Sequence, residues 1–272
     1  MTDHKLGFLG CGSMAECIMA GLLKSKAAKP ENVFVCNRTA STNERLVSTY
    51  GVKSVSADEL ASTADIVLLG VKPYGVVPML DMIKEKLTPQ TMVISMAAGV
   101  PMATIQNHCP PSTKVLRVMP NIPSFVGEGV TSVSSNSHVT PDEEAEVVKL
   151  FGSIGKVFVV PESAIHGVVG VAGSSPAYVF MFLEALSDGA VRGGVPRAQS
   201  YEMAAQAVLG AARMLQESGK TPGALKDMVC SPGGTTIEAV RYLEKGGLRS
   251  AVIEGMIQCM EKSKEFEKMY SE

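Results

Sequence analysis

The sequence predicts an α/β protein with a Rossmann-type, doubly wound sheet followed by an all-α domain. Through residues 6–160, short apolar runs alternate with helical patterns, an order that favours a parallel sheet. A glycine-rich turn joins the first apolar run to the first helical pattern. After residue 161 only helical patterns occur. We therefore predict two domains, residues 1–161 and 162–272.

The strands are predicted where four to seven mostly apolar residues run between turn signals. They cover residues 6–9, 33–36, 52–55, 65–71, 92–95, 114–118, 129–133 and 156–160. Helices of the first domain are predicted at residues 13–25, 41–50, 58–64, 76–86, 101–108 and 141–152. Those of the second are predicted at residues 175–192, 198–218, 222–229, 237–245 and 248–269.

The composition excludes several classes of protein. The 272 residues are 46% hydrophobic and 19% charged, with a net charge of −2, which argues against disorder and against a nucleic-acid partner. No apolar run approaches the roughly 18 residues of a membrane span, and the first residues lack the apolar core of a signal peptide. Six cysteines without CxxC spacing and four scattered histidines predict reduced thiols in the cytoplasm and no metal site.

The glycine-rich turn Gly10–Ala15 has the spacing of a dinucleotide-binding fingerprint between a strand and a helix. Gly10 permits the tight turn, Gly12 leaves room for a pyrophosphate, and Ala15 still allows close packing of helix and strand. The helix N-terminus would point free N–H groups at the phosphates. An ordinary tight strand-to-helix turn is the alternative.

The end of the second strand indicates which cofactor binds. An NAD site places Asp or Glu about 20 residues after the glycines, whereas this strand ends in Asn37, Arg38 and Thr39. Arg38 offers a planar charged partner for a 2′-phosphate, so NADPH is predicted over NADH, which stays possible. The alternative is a solvated loop arginine.

Three later strands end in further candidate contacts, because strand carboxyl ends line the ligand crevice of such sheets. The predicted cofactor-binding residues are Gly10, Cys11, Gly12, Ser13, Met14, Ala15, Asn37, Arg38, Thr39, Val71, Lys72, Pro73, Ala97, Ala98, Gly99 and Asn121.

The second domain contains two turns rich in hydrogen-bond donors, Ser231–Thr236 and Gly173–Pro176. At a helix start such a turn can hold a carboxylate, although Ser, Gly and Thr are also favoured there for local capping. No histidine is placed as the acid that a carbonyl reduction needs. A site of hydroxyls and N–H groups fits a protonated imine better than a ketone.

Long helices rich in alanine and methionine carry more apolar surface than a small domain needs. We therefore expect a homodimer formed through the second domain, with a self-contained bundle as the alternative.

Several separate motifs occur in one order along the whole chain: Val71-Lys-Pro, Arg117-Val-Met-Pro-Asn, Gly173-Ser-Ser-Pro-Ala-Tyr and Ser231-Pro-Gly-Gly-Thr-Thr. In these the chain resembles the pyrroline-5-carboxylate reductases. The resemblance implies a Rossmann domain with a helical dimerisation domain, dimers assembled into a decameric ring, and reduction of 1-pyrroline-5-carboxylate to L-proline by NAD(P)H. The chain departs from the commonest pattern at Cys11, Ser175 and Met228.

The resemblance also implies roles for residues of the second domain. It places the substrate carboxylate on the Ser231–Thr236 turn and the ring nitrogen near the Thr236 hydroxyl, with Ser231 close by; these two are the predicted catalytic residues. Glu162 matches a family residue that approaches the substrate, or is a solvated glutamate between domains. The predicted substrate-binding residues are Glu162, Ser174, Ser175, Gly234, Thr235 and Thr236.

Two other functions stay open. One is a β-hydroxyacid or ketopantoate-type dehydrogenase, which shares the layout but relies on a lysine or glutamate as acid and base. The other is a non-catalytic, NADPH-binding regulatory dimer, against which the intact Ser231–Thr236 turn argues.

Overall fold

The computed structural model describes residues 3–271 and divides into two compact units. Residues 3–174 together with 259–271 form the first unit, and residues 175–258 form the second. The last helix therefore contributes its final turns to the first unit. The predicted boundary between residues 161 and 162 stays a prediction.

An eight-stranded sheet lies at the centre of the first unit. The strands are β1 (Leu6–Leu9), β2 (Val33–Cys36), β3 (Lys53–Ser54), β4 (Ile66–Leu69), β5 (Met92–Ser95), β6 (Lys114–Met119), β7 (Gly129–Ser135) and β8 (Gly155–Val159). Their order in the sheet is β3-β2-β1-β4-β5-β6-β7-β8. β1, β4 and β5 are buried along their whole length, as expected for strands covered on both faces.

Helices cover both faces of this sheet, which confirms the doubly wound fold. One core packs the helices that carry Ile18, Leu46 and Phe151 against the sheet, and the other packs those that carry Leu60 and Leu80. The helices are α1 (Ser13–Lys24), α2 (Ala40–Tyr50), α3 (Ala57–Thr63), α4 (Val76–Ile83), α5 (Met102–Asn107) and α6 (Pro141–Gly152).

The expectation of a fully parallel sheet is wrong at one pair, because β7 runs antiparallel to β6. The linker between them, residues 120–128, holds only a short 3₁₀ turn at Ile122–Val126. A parallel crossover needs about a dozen residues or more. The chain therefore turns back beside β6, and β8 then pairs parallel to β7.

A helical run follows the sheet, through α7 (Ile165–Val168), a π-helical turn at Val169–Gly173 and α8 (Ser175–Arg192). α8 begins at Ser175 as predicted, whereas the donor role of the Gly173–Pro176 turn stays a prediction. The segment before it is already helical, and the Ser174 N–H donates to the Val169 carbonyl at 2.8 Å. The Ser174 hydroxyl lies 3.2 Å from Cys259 Sγ, and Ser175 has a partner of its own.

Four more helices follow: α9 (Arg197–Ser218), α10 (Pro222–Val229), α11 (Thr235–Lys245) and α12 (Leu248–Met269). Within residues 175–258 the described side chains that are buried are Ser187, Ser200 and Ala204. Large apolar side chains such as Phe180 and Met203 are exposed. This helical unit lacks a core of its own, which contradicts the self-contained bundle.

The helical run at residues 162–192 also has the length and composition of a membrane span, with a mean hydropathy of 1.4 in its most apolar stretch. The prediction that no run approaches that length is therefore wrong, because interspersed Gly, Ala and Ser hide the apolar stretch in the sequence. An apolar helix that packs against a second protein chain has the same composition.

Candidate active site

The glycine turn has the geometry that its sequence predicts. Gly10 has φ +76°, and a Cβ there would lie 2.4 Å from Val71 Cγ1. A Cβ on Gly12 would meet only the Gly70 carbonyl oxygen, at 3.8 Å. Protein packing therefore does not demand glycine at position 12, and the space before the α1 N-terminus fits a phosphate group. Ala15 faces Gly70. A Cβ on residue 70 would lie 2.5 Å from the Ala15 methyl carbon, so the alanine fits because residue 70 is a glycine.

A cleft of about 680 Å³ opens at this turn, within the size range of ligand pockets. It brings together the predicted contacts of three segments: Gly12–Ala15, Val71–Pro73 and Ala97–Ala98. These segments follow β1, β4 and β5, so the cleft lies at the carboxyl ends of the strands, where dinucleotides bind in such sheets. Lys72 supplies the positive charge among the described lining residues.

Five lining residues were not predicted: Cys17, Gly70, Met96, Ile122 and Phe125. Ile122 and Phe125 belong to the 3₁₀ turn after β6, and both are largely exposed. Exposed apolar side chains beside a cleft indicate a ligand surface. The sequence signal was the end of the strand before this turn, where Asn121 was predicted as a cofactor contact.

Asn37 and Cys11 have structural roles, which differ from the cofactor contacts predicted for them. Asn37 Oδ1 accepts a hydrogen bond from the Cys11 backbone N–H, and Asn37 Nδ2 donates to Asn43 Oδ1 at 2.8 Å. The Cys11 side chain lies in the core, where burial raises the pKa of its thiol to about 12. Both residues therefore order the turn.

Arg38 and Thr39, by contrast, are exposed at the end of β2. Thr39 begins α2 without a side-chain capping bond. Among residues 3–271 no hydrogen bond or ion pair engages the Arg38 guanidinium. Its five donors are thus available to a phosphate.

Asn121 and Gly99 lie outside the cleft lining. Asn121 is buried, its Nδ2 donates to the Ala172 carbonyl at 3.0 Å, and its Oδ1 accepts from the Val130 N–H at 2.8 Å. Gly99 has φ +78°, and a Cβ there would lie 2.9 Å from Phe266 Cβ. Packing and backbone bonds therefore account for both residues without a cofactor.

Glu162 does not stand as a solvated glutamate. Its Oε1 accepts from Arg117 Nη1 and from the Met102 N–H, both at 2.8 Å. Arg117 Nη1 also donates to Glu267 Oε1 at 2.8 Å, and Glu267 Oε2 lies 2.7 Å from His166 Nε2. These residues form an ionic cluster, composed of Arg117, Glu162, His166 and Glu267. It engages the predicted substrate ligand Glu162, whose side chain is 28% exposed, with the buried Arg117 side chain.

The Ser231–Thr236 turn forms a second donor site, in the helical unit. Gly233 has φ +65°, and the Gly234 N–H donates to the Ser231 carbonyl at 3.0 Å. Gly234 caps α11 without a side-chain bond, so the first N–H groups of that helix have no intrahelical acceptor. Ser231 and Thr235 are exposed and Thr236 is half-buried.

Comparison with known proteins now identifies the family. Residues 162–266 match the family model described as pyrroline-5-carboxylate reductase dimerisation. Residues 5–99 match one described as NADP oxidoreductase, coenzyme F420-dependent. A pyrroline-5-carboxylate reductase of Escherichia coli strain K12 is 48% identical over 267 residues, which cover 98% of this chain and 99% of that protein. The chain belongs to the pyrroline-5-carboxylate reductase family.

Solved structures of pyrroline-5-carboxylate reductases have the same fold. The Plasmodium falciparum enzyme with NADP bound is 30% identical, with a TM-score of 0.89 over 98% of this chain and 99% of that one. The Coxiella burnetii enzyme is 32% identical, with a TM-score of 0.90 over 97% and 99%. Membership of this family, with its dimerisation domain, explains why the helical unit of this reductase leaves its apolar side chains uncovered.

Proposed function

We propose that this chain reduces 1-pyrroline-5-carboxylate to L-proline with NADPH as the preferred reductant and NADH as a possible one. The observation that carries the proposal is the 48% identity to the E. coli reductase along the whole chain. The aligned 267 residues cover both the glycine turn and the Ser231–Thr236 turn, to which we assign the cofactor and the substrate.

The cleft residues would hold the cofactor. The α1 N-terminus at Gly12–Met14 would bind the pyrophosphate, and Arg38 would pair with the 2′-phosphate. Val71–Pro73 and Ala97–Ala98 would form the walls around the nicotinamide ribose and ring. When bound, the reduced nicotinamide supplies the hydride that this reaction requires.

The Ser231–Thr236 turn would bind the substrate. The N–H groups at the start of α11, with the Thr235 hydroxyl, would hold its carboxylate, because a helix N-terminus favours negative charge. Thr236 would hydrogen bond the ring nitrogen, with Ser231 nearby. A protonated imine already carries its proton on nitrogen, so the site needs no strong acid beside the reacting carbon.

The assembly and its location extend this proposal. The reductase would act as a dimer, and its dimers would associate into a decamer, as we expect from the family resemblance. We place it in the cytoplasm, without membrane or nucleic-acid partners, since all six of its cysteines are free and its net charge is close to zero.

The deciding experiment follows NADPH oxidation at 340 nm with 1-pyrroline-5-carboxylate, with ketopantoate, and without substrate. Turnover with the imine alone supports the proposal. Turnover with ketopantoate alone would instead indicate a dehydrogenase of that class. NADPH binding without any turnover would indicate a regulatory dimer.

A further inference from the structure

The end of α12 packs against the segment that follows the wall of the cofactor cleft. We call residues 263–270 the C-terminal brace. Its backbone at Phe266 and Glu267 lies directly against Gly99, the residue after Ala98, where any Cβ would come within 2.9 Å of the Phe266 Cβ. The Tyr270 carbonyl accepts a bond from the Thr104 hydroxyl at 2.9 Å. Two contacts from the brace therefore hold residues 99–104.

The ionic cluster adds a third anchor to the same segment. Glu162 accepts a hydrogen bond from the Met102 N–H. Arg117 Nη1 donates to both Glu162 and Glu267. Arg117 is only 1% exposed, and among the described residues its Nε has no hydrogen-bond partner. A buried charge of this kind needs its counter-ions, so Glu267 fixes Arg117, and Arg117 fixes Glu162.

We infer that Glu267 is a positioning residue for the reaction: through Arg117 and the C-terminal brace it holds residues 99–104, and so sets the position of the adjoining Ala97–Ala98 wall of the cofactor cleft. The effect of Glu267 on catalysis rests on the proposed function. Glu267 itself lies outside the residues that the dimerisation model matches, which end at 266. We expect its effect on the side of the cleft where we place the nicotinamide, because the contacts of the brace and of the ionic cluster lie at Gly99, Met102 and Thr104, just after that wall.

The test compares two ligands on the purified full-length protein. NADPH occupies the whole cleft, whereas 2′,5′-ADP carries only the adenosine half. Glu267→Gln keeps the shape of the side chain and removes its charge, and Glu267→Ala removes the contact. Both variants should raise the dissociation constant of NADPH, about fivefold or more for Glu267→Ala, and leave that of 2′,5′-ADP unchanged. A variant that is only less stable would bind both ligands normally once folded.

Glu265→Gln is the matched control, since Glu265 is an exposed residue of the same helix whose carboxylate pairs with Lys262 on the surface. It should bind both ligands as the unmodified protein does. If Glu267→Ala fails to fold, Glu267→Gln carries the comparison. An unchanged ratio of the two affinities in the Glu267 variants would overturn the inference. Both dissociation constants are measured without substrate. If the proposed function is wrong, the unmodified protein will show no turnover, and that result is independent of these constants.

Discussion

The side-chain oxygen of Asn37 lies 2.6 Å from the backbone nitrogen of Cys11 and accepts its hydrogen. The bond joins the end of β2 to the middle of the glycine turn, 26 residues earlier in the chain. It fixes the turn from the side of β2, while the next residues, Gly12–Ala15 at the start of α1, line the cleft. Asn37 thus acts on cofactor binding through the backbone.

Asn37→Ala should weaken both nicotinamide cofactors equally. The change leaves a partly buried N–H without an acceptor, which costs about 1–3 kcal/mol, and it loosens the turn that meets the pyrophosphate common to NADPH and NADH. Michaelis constants for both cofactors and the melting temperature are the measurements. Asn43→Ala, which keeps the bond to Cys11, should have a smaller effect. A change confined to NADPH would contradict this role.

Arg38→Ala should affect one cofactor only. A hydrogen bond to a charged group contributes about 1.5–3 kcal/mol, so the Michaelis constant for NADPH should rise roughly tenfold to a hundredfold, while that for NADH stays nearly constant. Arg38→Lys should recover part of the loss, because it restores the charge without the planar fork. Equal shifts for both cofactors would show that Arg38 does not read the 2′-phosphate.

The fold was predictable because its signals are local. β1, β2 and β5 occur at the predicted residues, since each is a short apolar run between turn signals. The regular alternation of strands and helices led us to expect a parallel β7. The short linker at residues 120–128 is the sequence feature that indicates its antiparallel direction. The position of the cofactor cleft was predictable because the carboxyl ends of parallel strands lie at the same edge of the sheet.

The ionic cluster was not predictable, because its members are far apart in the sequence. Arg117 meets Glu162 and Glu267 across 45 and 150 residues. Glu162 was therefore interpreted as a substrate ligand, and Glu267 was not considered. The π-helical turn at Val169–Gly173 was missed for a different reason. Its small residues are common to turns and helices, and the bond from Ser174 to Val169 has no sequence signature.

Thr236→Val should lower turnover and leave cofactor affinity unchanged. The substitution keeps the shape of the side chain but removes the hydroxyl that we place on the ring nitrogen. A hydrogen bond to a charged group contributes about 1.5–3 kcal/mol, so kcat should fall roughly tenfold to a hundredfold while the Michaelis constant for NADPH stays constant. Thr236→Ser retains the hydroxyl and should retain most of the turnover. Normal kcat in Thr236→Val would remove this residue from the mechanism.

Cys11 should resist alkylation and should make stability depend on pH. Burial raises the pKa of its thiol from 9.0 to about 12, and the thiolate is the reactive form. Below pH 9 the folded and unfolded states both keep the proton. Above pH 9 the unfolded state loses its proton first, so stability should fall between pH 9 and about 12. Urea unfolding at pH 7.5 and 10 measures this loss, and Cys11→Ala should reduce it. Rapid labelling of Cys11 by iodoacetamide at pH 8 would contradict its burial.

Phe180→Ser should destabilise the dimer, although Phe180 is 61% exposed in the single chain. If a second copy covers the apolar helices, losing this ring costs about 1–3 kcal/mol of buried surface, and the melting temperature should fall and depend more steeply on protein concentration. Met82→Ser is the matched control. Met82 is 60% exposed on α4 of the first unit, where a surface change should stay within about 0.5 kcal/mol. Sedimentation at several concentrations checks the dimer directly. Equal, negligible effects of the two changes would place Phe180 outside the dimer interface.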